Sequence, residues 1–283
     1  MIIQKEIINI SKEKGVPKIT IDKDWVLGHF LNAMYSFVEI QNNFVFKGGT
    51  CLRKCHIEDY RFSEDLDFTL LDEKFIIDKK LISKFIHEAQ KVCGAKFHLF
   101  KFTEPNEDNQ GYEIIIKFWG ADHKINQKPT SPSSKWHSKI KLDISISEDL
   151  ILKPEIKKIF HPYSDSKLIN NTIPVYSINE IMAEKLRSLI QRNRPRDIYD
   201  VWSLSKIIDN KEFTTIKDTL LKKSENKNIK INGVNDFIND DKEKKNNKEW
   251  RNSLKNQLPI EKLPEFDKVY NIIPEFIKNI LNN

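Results

Sequence analysis

The stretch FSEDLDFTL, residues 62–70, decides the fold prediction. Its side chains alternate as in a β-strand, so Leu66 and Phe68 share one face while Asp65 and Asp67 share the other. The rise per residue places the two carboxylates ~7 Å apart along the backbone, where their like charges repel. Mg²⁺ suits such a pair, because it takes carboxylate and phosphate oxygens as ligands. A solvated strand face with two incidental acids is the alternative interpretation.

A second segment places two glycines at the end of a short apolar strand, residues 44–46. Lys47-Gly48-Gly49-Thr50 follows this strand, and the next residues, CLRKC, predict a helix. Glycine lets a ligand approach the backbone closely, and free N–H groups at a helix start bind phosphate. Many GG pairs only satisfy turn geometry, so this motif alone is weak evidence for a phosphate site.

A third carboxylate comes from the alternating strand IKLDISI, residues 140–146. Asp143 shares the polar face of this strand with Lys141 and Ser145. Glu113 in the run YEIIIKFW is a weaker candidate, because that run is more evenly apolar. The sequence leaves open whether Asp143 or Glu113 is the third acid.

Composition limits the class of protein. The 283 residues include 31% charged residues and no run near the ~20 apolar residues that a membrane span needs. The N-terminal sequence lacks the features of a signal peptide. Three cysteines, an odd number, argue against a disulfide framework and favour a reducing cytoplasm. The formal net charge of +6 permits an anionic partner without requiring one.

The order of the predicted elements indicates an α/β or α+β domain followed by a helical domain. Apolar periodicity predicts helices over 22–37 and 78–92, strands over 44–46, 95–102, 112–119 and 140–146, and a loop over 120–138. Only helical patterns follow Ser177. We therefore predict domains over 1–170 and 171–283, and we expect the Lys- and Asn-rich segment 222–250 to be a flexible surface insertion.

The first helix of the C-terminal part begins at a capping box formed by Ser177 and Glu180. A helical wheel places Lys185 within the apolar stripe and Arg187, with Glu180 and Glu184, on the opposite, solvated face. Asp197 lies on the apolar stripe of the next helix. An inward lysine and an inward aspartate should pair with each other or with a ligand.

The motif order resembles a known superfamily. A strand, GG[ST], a helix, D-x-D on a strand and a later acid on another strand are typical of the nucleotidyltransferases that include DNA polymerase β. KGGTCLRK, RFSEDLDF, KLDIS, SINEIMAEKLRSL and RPRDIYDVW together resemble the AbiEii/AbiGii nucleotidyltransferase toxin family, over about residues 40–205. This resemblance implies a polymerase β-like domain with a mixed sheet flanked by helices. An all-helical C-terminal domain would complete the active-site cleft.

The resemblance also implies roles for individual residues. Two Mg²⁺ ions would be held by Asp65, Asp67 and Asp143, and an NTP would be the substrate. The implied catalytic residues are Asp65, Asp67, Asp143, Lys185 and Asp197. The implied nucleotide-binding residues are Gly48, Gly49, Thr50, Ser63, Lys185 and Asp200.

The implied activity is that of a bacterial toxin from a toxin–antitoxin or phage-defence system. Such a toxin transfers a nucleotide from an NTP to an acceptor, and the tRNA 3′ end is the acceptor expected from the family. A winged-helix antitoxin would be its protein partner, and no membrane is involved. Modification of a protein or a small molecule, or nucleotide binding without catalysis, are the alternatives.

Overall fold

A computed structural model of the protein describes residues 2–107, 110–124 and 126–283. The chain forms two compact units. The first contains the chain up to Glu148 together with Pro154–Val175, and the second contains Asp149–Lys153 and Tyr176–Asn283. Within the described residues, every strand belongs to the first unit and the second unit is helical. This arrangement confirms the predicted α+β class with a helical C-terminal region.

The first unit is built on a mixed seven-stranded sheet of order β3-β4-β5-β2-β1-β7-β6. The strands are β1 (Phe44–Lys47), β2 (Asp65–Leu70), β3 (Lys96–Thr103), β4 (Gly111–Trp119), β5 (Lys139–Ser145), β6 (Glu155–Lys158) and β7 (Thr172–Val175). β2 runs parallel to β5, and β1 runs parallel to β7; all other neighbours are antiparallel. The strands predicted from alternation are confirmed.

One face of this sheet forms the core of the unit. The buried side chains on the central strands alternate with the polar ones, as in Leu66 and Phe68 of β2 and Leu142 and Ile144 of β5. β4 also alternates: Ile114, Ile116 and Phe118 are buried, while Glu113, Ile115 and Lys117 are partly exposed. The opposite face of β2, β4 and β5 therefore carries the polar side chains.

Helices complete the first unit. They are α1 (Gln4–Lys14), α2 (Lys18–Met34), α3 (Val38–Asn43), α4 (Gly48–Cys51), which continues as a π-helical turn over Leu52–His56, and α5 (Lys79–Cys93). Asp78 caps α5 by accepting the Leu81 N–H, as expected for a helix that begins there. The predicted start of α2 at Asp22 is wrong. Asp22 lies inside the helix and accepts the Ala121 N–H instead of capping it.

The second unit contains α6 (Ile178–Gln191), α7 (Pro195–Ser205), α8 (Phe213–Glu225), α9 (Val234–Phe237), α10 (Asp240–Leu254), α11 (Phe266–Tyr270) and α12 (Ile273–Asn282). The prediction of a flexible insertion over 222–250 is wrong. Asn246, Trp250 and Leu254 recur at four-residue spacing and bury one face of α10, and the Trp250 indole donates to the Pro264 carbonyl. Three buried positions thus anchor a helix whose other residues are polar.

No helix of the described chain has the length and hydropathy required to cross a membrane.

Candidate active site

Charged side chains form a row across four adjacent strands on the polar face of the sheet. Lys47 of β1 pairs with Asp67 of β2, Asp67 pairs with Asp143 of β5, and Asp143 pairs with Glu113 of β4. Directly paired residues on neighbouring strands project from the same face. The strand pairing therefore places Asp67, Asp143 and Glu113 in one line. Of the two candidates for the third acid, Asp143 is the one beside Asp67.

Lysines compensate part of this negative charge. Lys141 lies opposite Asp65 in the next row, and its Nζ is 2.9 Å from Asp143 Oδ2 and 3.1 Å from Glu113 Oε2. Lys101 Nζ is 2.5 Å from Glu113 Oε1. Hydrogen bonds from Lys101 and Lys141 lower the pKa of Glu113 below its ordinary value. Glu113 is thus neutralised by two protein cations.

Asp143 has the opposite electrostatic environment. Partial burial raises its pKa, and the nearby charges of Asp65 and Glu113 act in the same direction. The hydrogen bond from Lys141 opposes this shift without cancelling it. A carboxylate that is destabilised by its neighbours gains most from an additional cation. Asp143 therefore suits a cation site better than Glu113 does.

The glycine motif lies directly against these carboxylates. Gly48 has φ +81°, and a Cβ atom at this position would overlap Oδ2 of Asp67. A Cβ atom on Gly49 would lie 3.0 Å from Nη2 of Arg61 and 3.1 Å from Oγ of Ser63. Only glycine lets the backbone come this close to the acidic strand at a left-handed φ. Gly48, Gly49 and Ser63 are therefore brought together with Asp67.

Thr50 has a structural contact in this site. Its Oγ1 donates to the carbonyl oxygen of Asp65 at 2.5 Å, and its side chain is fully buried. This hydrogen bond ties α4 to the beginning of β2. The Thr50 hydroxyl thus positions the acidic strand.

The remaining predicted site residues form a separate cluster in the helical unit. Lys185 Nζ of α6 is 3.2 Å from Asp197 Oδ1 and 2.7 Å from Asp200 Oδ2 of α7. Arg192 donates to both carboxylate oxygens of Asp197. Burial raises the pKa of Asp197, but Lys185 and Arg192 outweigh this effect and leave the pKa below its ordinary value. The predicted inward pairing of Lys185 with Asp197 is confirmed.

The predicted solvent exposure of Glu180 and Arg187 is wrong. Glu180 is fully buried, accepts the N–H groups of Ile151 and Leu152, and pairs with Lys223 of α8 at 2.9 Å. Arg187 is 8% exposed and donates to the Lys223 carbonyl. The helical wheel failed because α6 is covered on both sides, with apolar residues on one and polar partners on the other.

Sequence reasoning also missed a buried polar cluster in the first unit. His29 Nε2 of α2 and His161 Nε2 lie 3.1 and 3.2 Å from the Asp165 carboxylate, and the Trp25 indole N–H donates to the same group. These ligand types could hold a metal ion. However, three N–H donors already satisfy Asp165, and the separations are those of hydrogen bonds. No motif spacing signals this cluster, because its histidines are far apart in the chain.

Comparison with solved structures identifies the fold. MenT4, a nucleotidyltransferase toxin from Mycobacterium tuberculosis H37Rv, is 20% identical, with a TM-score of 0.54 over 78% of this chain and 70% of that chain. JHP933 from Helicobacter pylori is 14% identical, with a TM-score of 0.56 over 94% of each chain. At these identities the likeness shows the fold alone. Comparison with curated proteins gave no match.

The sequence itself matches a family profile over residues 29–272, a span that covers most of the chain and both units. The family's description reads "Nucleotidyl transferase AbiEii toxin, Type IV TA system". The span includes the glycine motif, the acidic pair and the Lys185 cluster. The chain therefore belongs to the AbiEii family of nucleotidyltransferase toxins.

Proposed function

We propose that this nucleotidyltransferase toxin uses Mg²⁺ to transfer a nucleotide from an NTP to an RNA acceptor, the 3′ end of a tRNA. The observation that carries the proposal is the row of Lys47, Asp67, Asp143 and Glu113 beside the glycine motif. Family membership supports an NTP substrate, a divalent metal and a cognate antitoxin.

The residues present fit a divalent cation bound together with a triphosphate. Asp65, Asp67 and Asp143 are partly exposed and present hard oxygen donors on one sheet face. The pKa of Asp143 is raised, so a bound cation would stabilise its ionised form. The absence of a Cβ at Gly48 keeps the Asp67 carboxylate accessible to the same cation. Two Mg²⁺ ions bound there would stabilise charge on the attacking and leaving oxygens.

The protein groups would position the reactants. Backbone N–H groups at Gly48 and Gly49 would bind the triphosphate, with Ser63 close to Gly49. A 3′-hydroxyl oxygen of the acceptor would then attack the α-phosphorus of the NTP. The bond from this phosphorus to the β-phosphate oxygen breaks, pyrophosphate leaves and the hydroxyl proton is released. Positioning and charge stabilisation supply most of the rate in such transfers.

We also propose that the cluster of Lys185, Asp197 and Asp200 contacts the nucleotide. The buried lysine is held by two carboxylates, which fixes its ammonium group in one place. Arg192 is half-exposed and adds a second cation to the same cluster. A fixed cation of this kind suits a phosphate group.

The biological setting is part of the proposal. A toxin of this family would act in a toxin–antitoxin or phage-defence system and would be restrained by an antitoxin of winged-helix type. The net charge of +6 supports an anionic acceptor. A single-stranded RNA end would present an accessible hydroxyl to the acidic row.

Incubation of the protein with each labelled NTP, Mg²⁺ and total tRNA tests the activity, followed by a gel that resolves RNA from protein. Label on RNA is the expected result. Label on the protein would show that the acceptor is a side chain. The Asp67→Asn variant is the matched control, because it removes one charge without changing the shape of the side chain.

A further inference from the structure

The polar face of β3, β4 and β5 continues beyond the acidic row, and its character changes from acidic to basic. The next row along the strands joins Lys101, Ile115 and Lys141, which are paired in register across the three strands. Both lysines of this row pair with Glu113, and Lys141 also contacts Asp143. This row therefore marks the edge of the proposed catalytic site.

Beyond this edge, the same face carries what we term the outer strip: Lys96, His98, Phe100, Lys117, Trp119 and Lys139. His98 pairs with Lys117 across β3 and β4, and Lys117 pairs with Lys139 across β4 and β5. Lys96 pairs with Trp119 in the last row. Register thus places these side chains on the face that carries the carboxylates, except for Phe100, which has no register partner and lies on this face by its contact with Lys117.

Among the described residues, the lysines of the outer strip have no acidic partner. Lys96 and Lys139 are exposed, and in the part of the chain that the structure describes no carboxylate pairs with them or with Lys117. The Lys117 ammonium lies 4.2 Å from the centre of the Phe100 ring and donates to the Ser134 carbonyl. A patch of uncompensated positive charge attracts an anionic partner.

Aromatic rings are interleaved with these lysines. Phe100 lies at a register shift of β3 between Leu99 and Lys101, and half of its surface is exposed. Trp119 contacts Trp136 and His123, and these three rings line one depression with His137. Phe100 is exposed and Trp119 partly exposed, while Trp136 is buried. Accessible aromatic side chains beside basic ones on a sheet face form the platform on which about two or three RNA bases stack in known modules.

We propose that the outer strip binds the single-stranded segment that precedes the 3′ hydroxyl of the RNA acceptor. This inference rests on the proposed function, because the hydroxyl must reach Asp67 and Asp143. Trp119 lies six residue steps along β4 from Glu113, about 20 Å at the rise of a strand. The nucleotides upstream of the 3′ end would therefore follow β4 away from the carboxylates, with their phosphates on the lysines and a base on Phe100.

The test measures binding without turnover, by fluorescence anisotropy of a short single-stranded oligoribonucleotide labelled at its 5′ end, with no NTP. The Lys96→Ala/Lys139→Ala pair removes two exposed lysines of the outer strip. The Lys79→Ala/Lys84→Ala pair is its matched control, because these two lysines are also exposed and lie on α5, outside the outer strip. Each lost phosphate contact lowers the salt dependence of single-strand binding by about 0.7 in log–log slope, so the first pair should lose about 1.4. The control pair should lose nothing.

Phe100→Ala tests stacking. Loss of one base–aromatic contact should weaken binding of the single strand about 5- to 150-fold. Binding of a duplex RNA of the same length, whose bases are not free to stack on Phe100, should be almost unaffected. Equal slopes and affinities for the strip and control pairs, or no effect of Phe100→Ala, would overturn the outer strip as an RNA site.

The outcomes separate this inference from the proposed activity. If the protein transfers nucleotides to RNA but the variants of the outer strip bind RNA normally, the outer strip is not the RNA site and the proposed activity stands. If RNA binding depends on the outer strip but no NTP supports transfer to RNA, RNA is not the acceptor and the outer strip remains an RNA-binding surface.

Discussion

The Gly48→Ala substitution should disturb the geometry of the acidic site strongly and lower the stability of the fold only slightly. Gly48 is held at φ +81°, and the new Cβ of Gly48→Ala would overlap Asp67 Oδ2 and lie 3.2 Å from its Cγ. Optimal contacts between non-bonded heavy atoms are about 3.5–4.0 Å, so the Asp67 carboxylate must move by about 1 Å. The variant thus displaces a proposed metal ligand without removing its charge.

The two expected effects differ in size. An L-residue in the left-handed region costs about 1–2 kcal/mol, and each kcal/mol lowers Tm by about 2–4 °C in a protein of this size. A misplacement of about 1 Å can cost about 100-fold in rate. Gly48→Ala should therefore lose a few degrees of Tm and about 100-fold in nucleotide transfer.

Gly94→Ala is the matched control. Gly94 ends α5 at φ 75°, so an alanine there carries the same backbone strain outside the acidic site. The Tm of both variants, measured by circular dichroism, should lie a few degrees below that of the wild type. Only Gly48→Ala should lose transfer of labelled nucleotide to RNA. Near-native transfer by Gly48→Ala, or an equal loss in both variants, would refute the assignment of Asp67 and the glycine motif to one site.

Three further results are expected. Asp65→Asn and Asp67→Asn should each abolish transfer and the rise in Tm produced by Mg²⁺ with NTP, because each removes a metal-binding charge; near-native turnover would exclude the metal site. Lys185→Ala should lower the free energy of unfolding by about 3–5 kcal/mol in urea denaturation, because it removes the cation that Asp197 and Asp200 share in a buried site. Burial raises the pKa of Asp22 to about 6 and lowers that of His161 to about 4. Acidification from pH 6.5 to 4 therefore stabilises the fold through Asp22 and destabilises it through His161, by about 3 kcal/mol each. Asp22→Asn should consequently lose Tm more steeply than wild type between pH 7 and 5, and parallel curves would contradict this balance.

The sheet was predictable from sequence because alternation is a local property. A strand with one buried face repeats every two residues, and β2 and β5 show this pattern clearly. Strand order was not predictable in the same way, because pairings such as β2 with β5 join distant segments. The strand order in the structure places Asp143 beside Asp67 and Glu113 one strand further, which the sequence did not show.

Buried polar clusters were the least predictable feature. Their partners come from remote parts of the chain, as in the contact of Asp24 with Arg53, Lys54 and Tyr163. A helical wheel assigns each charged residue to solvent unless an apolar stripe surrounds it. Such a rule places Lys54 on the surface, whereas its side chain is 1% exposed.

The same failure changes how the role of Lys185 must be tested. Arg187→Ala is not a neutral comparison, because the Arg187 side chain is buried and bonded. Lys223→Ala is the appropriate control, since Lys223 is a fully buried lysine of the same unit that pairs with Glu180 and Glu184. Both variants break a buried ion pair, so both should lose stability of the same order. If only Lys185→Ala also loses NTP binding, measured at a temperature where both proteins are folded, then Lys185 acts on the nucleotide. Equal loss of binding would show that its role is to hold the fold of the helical unit.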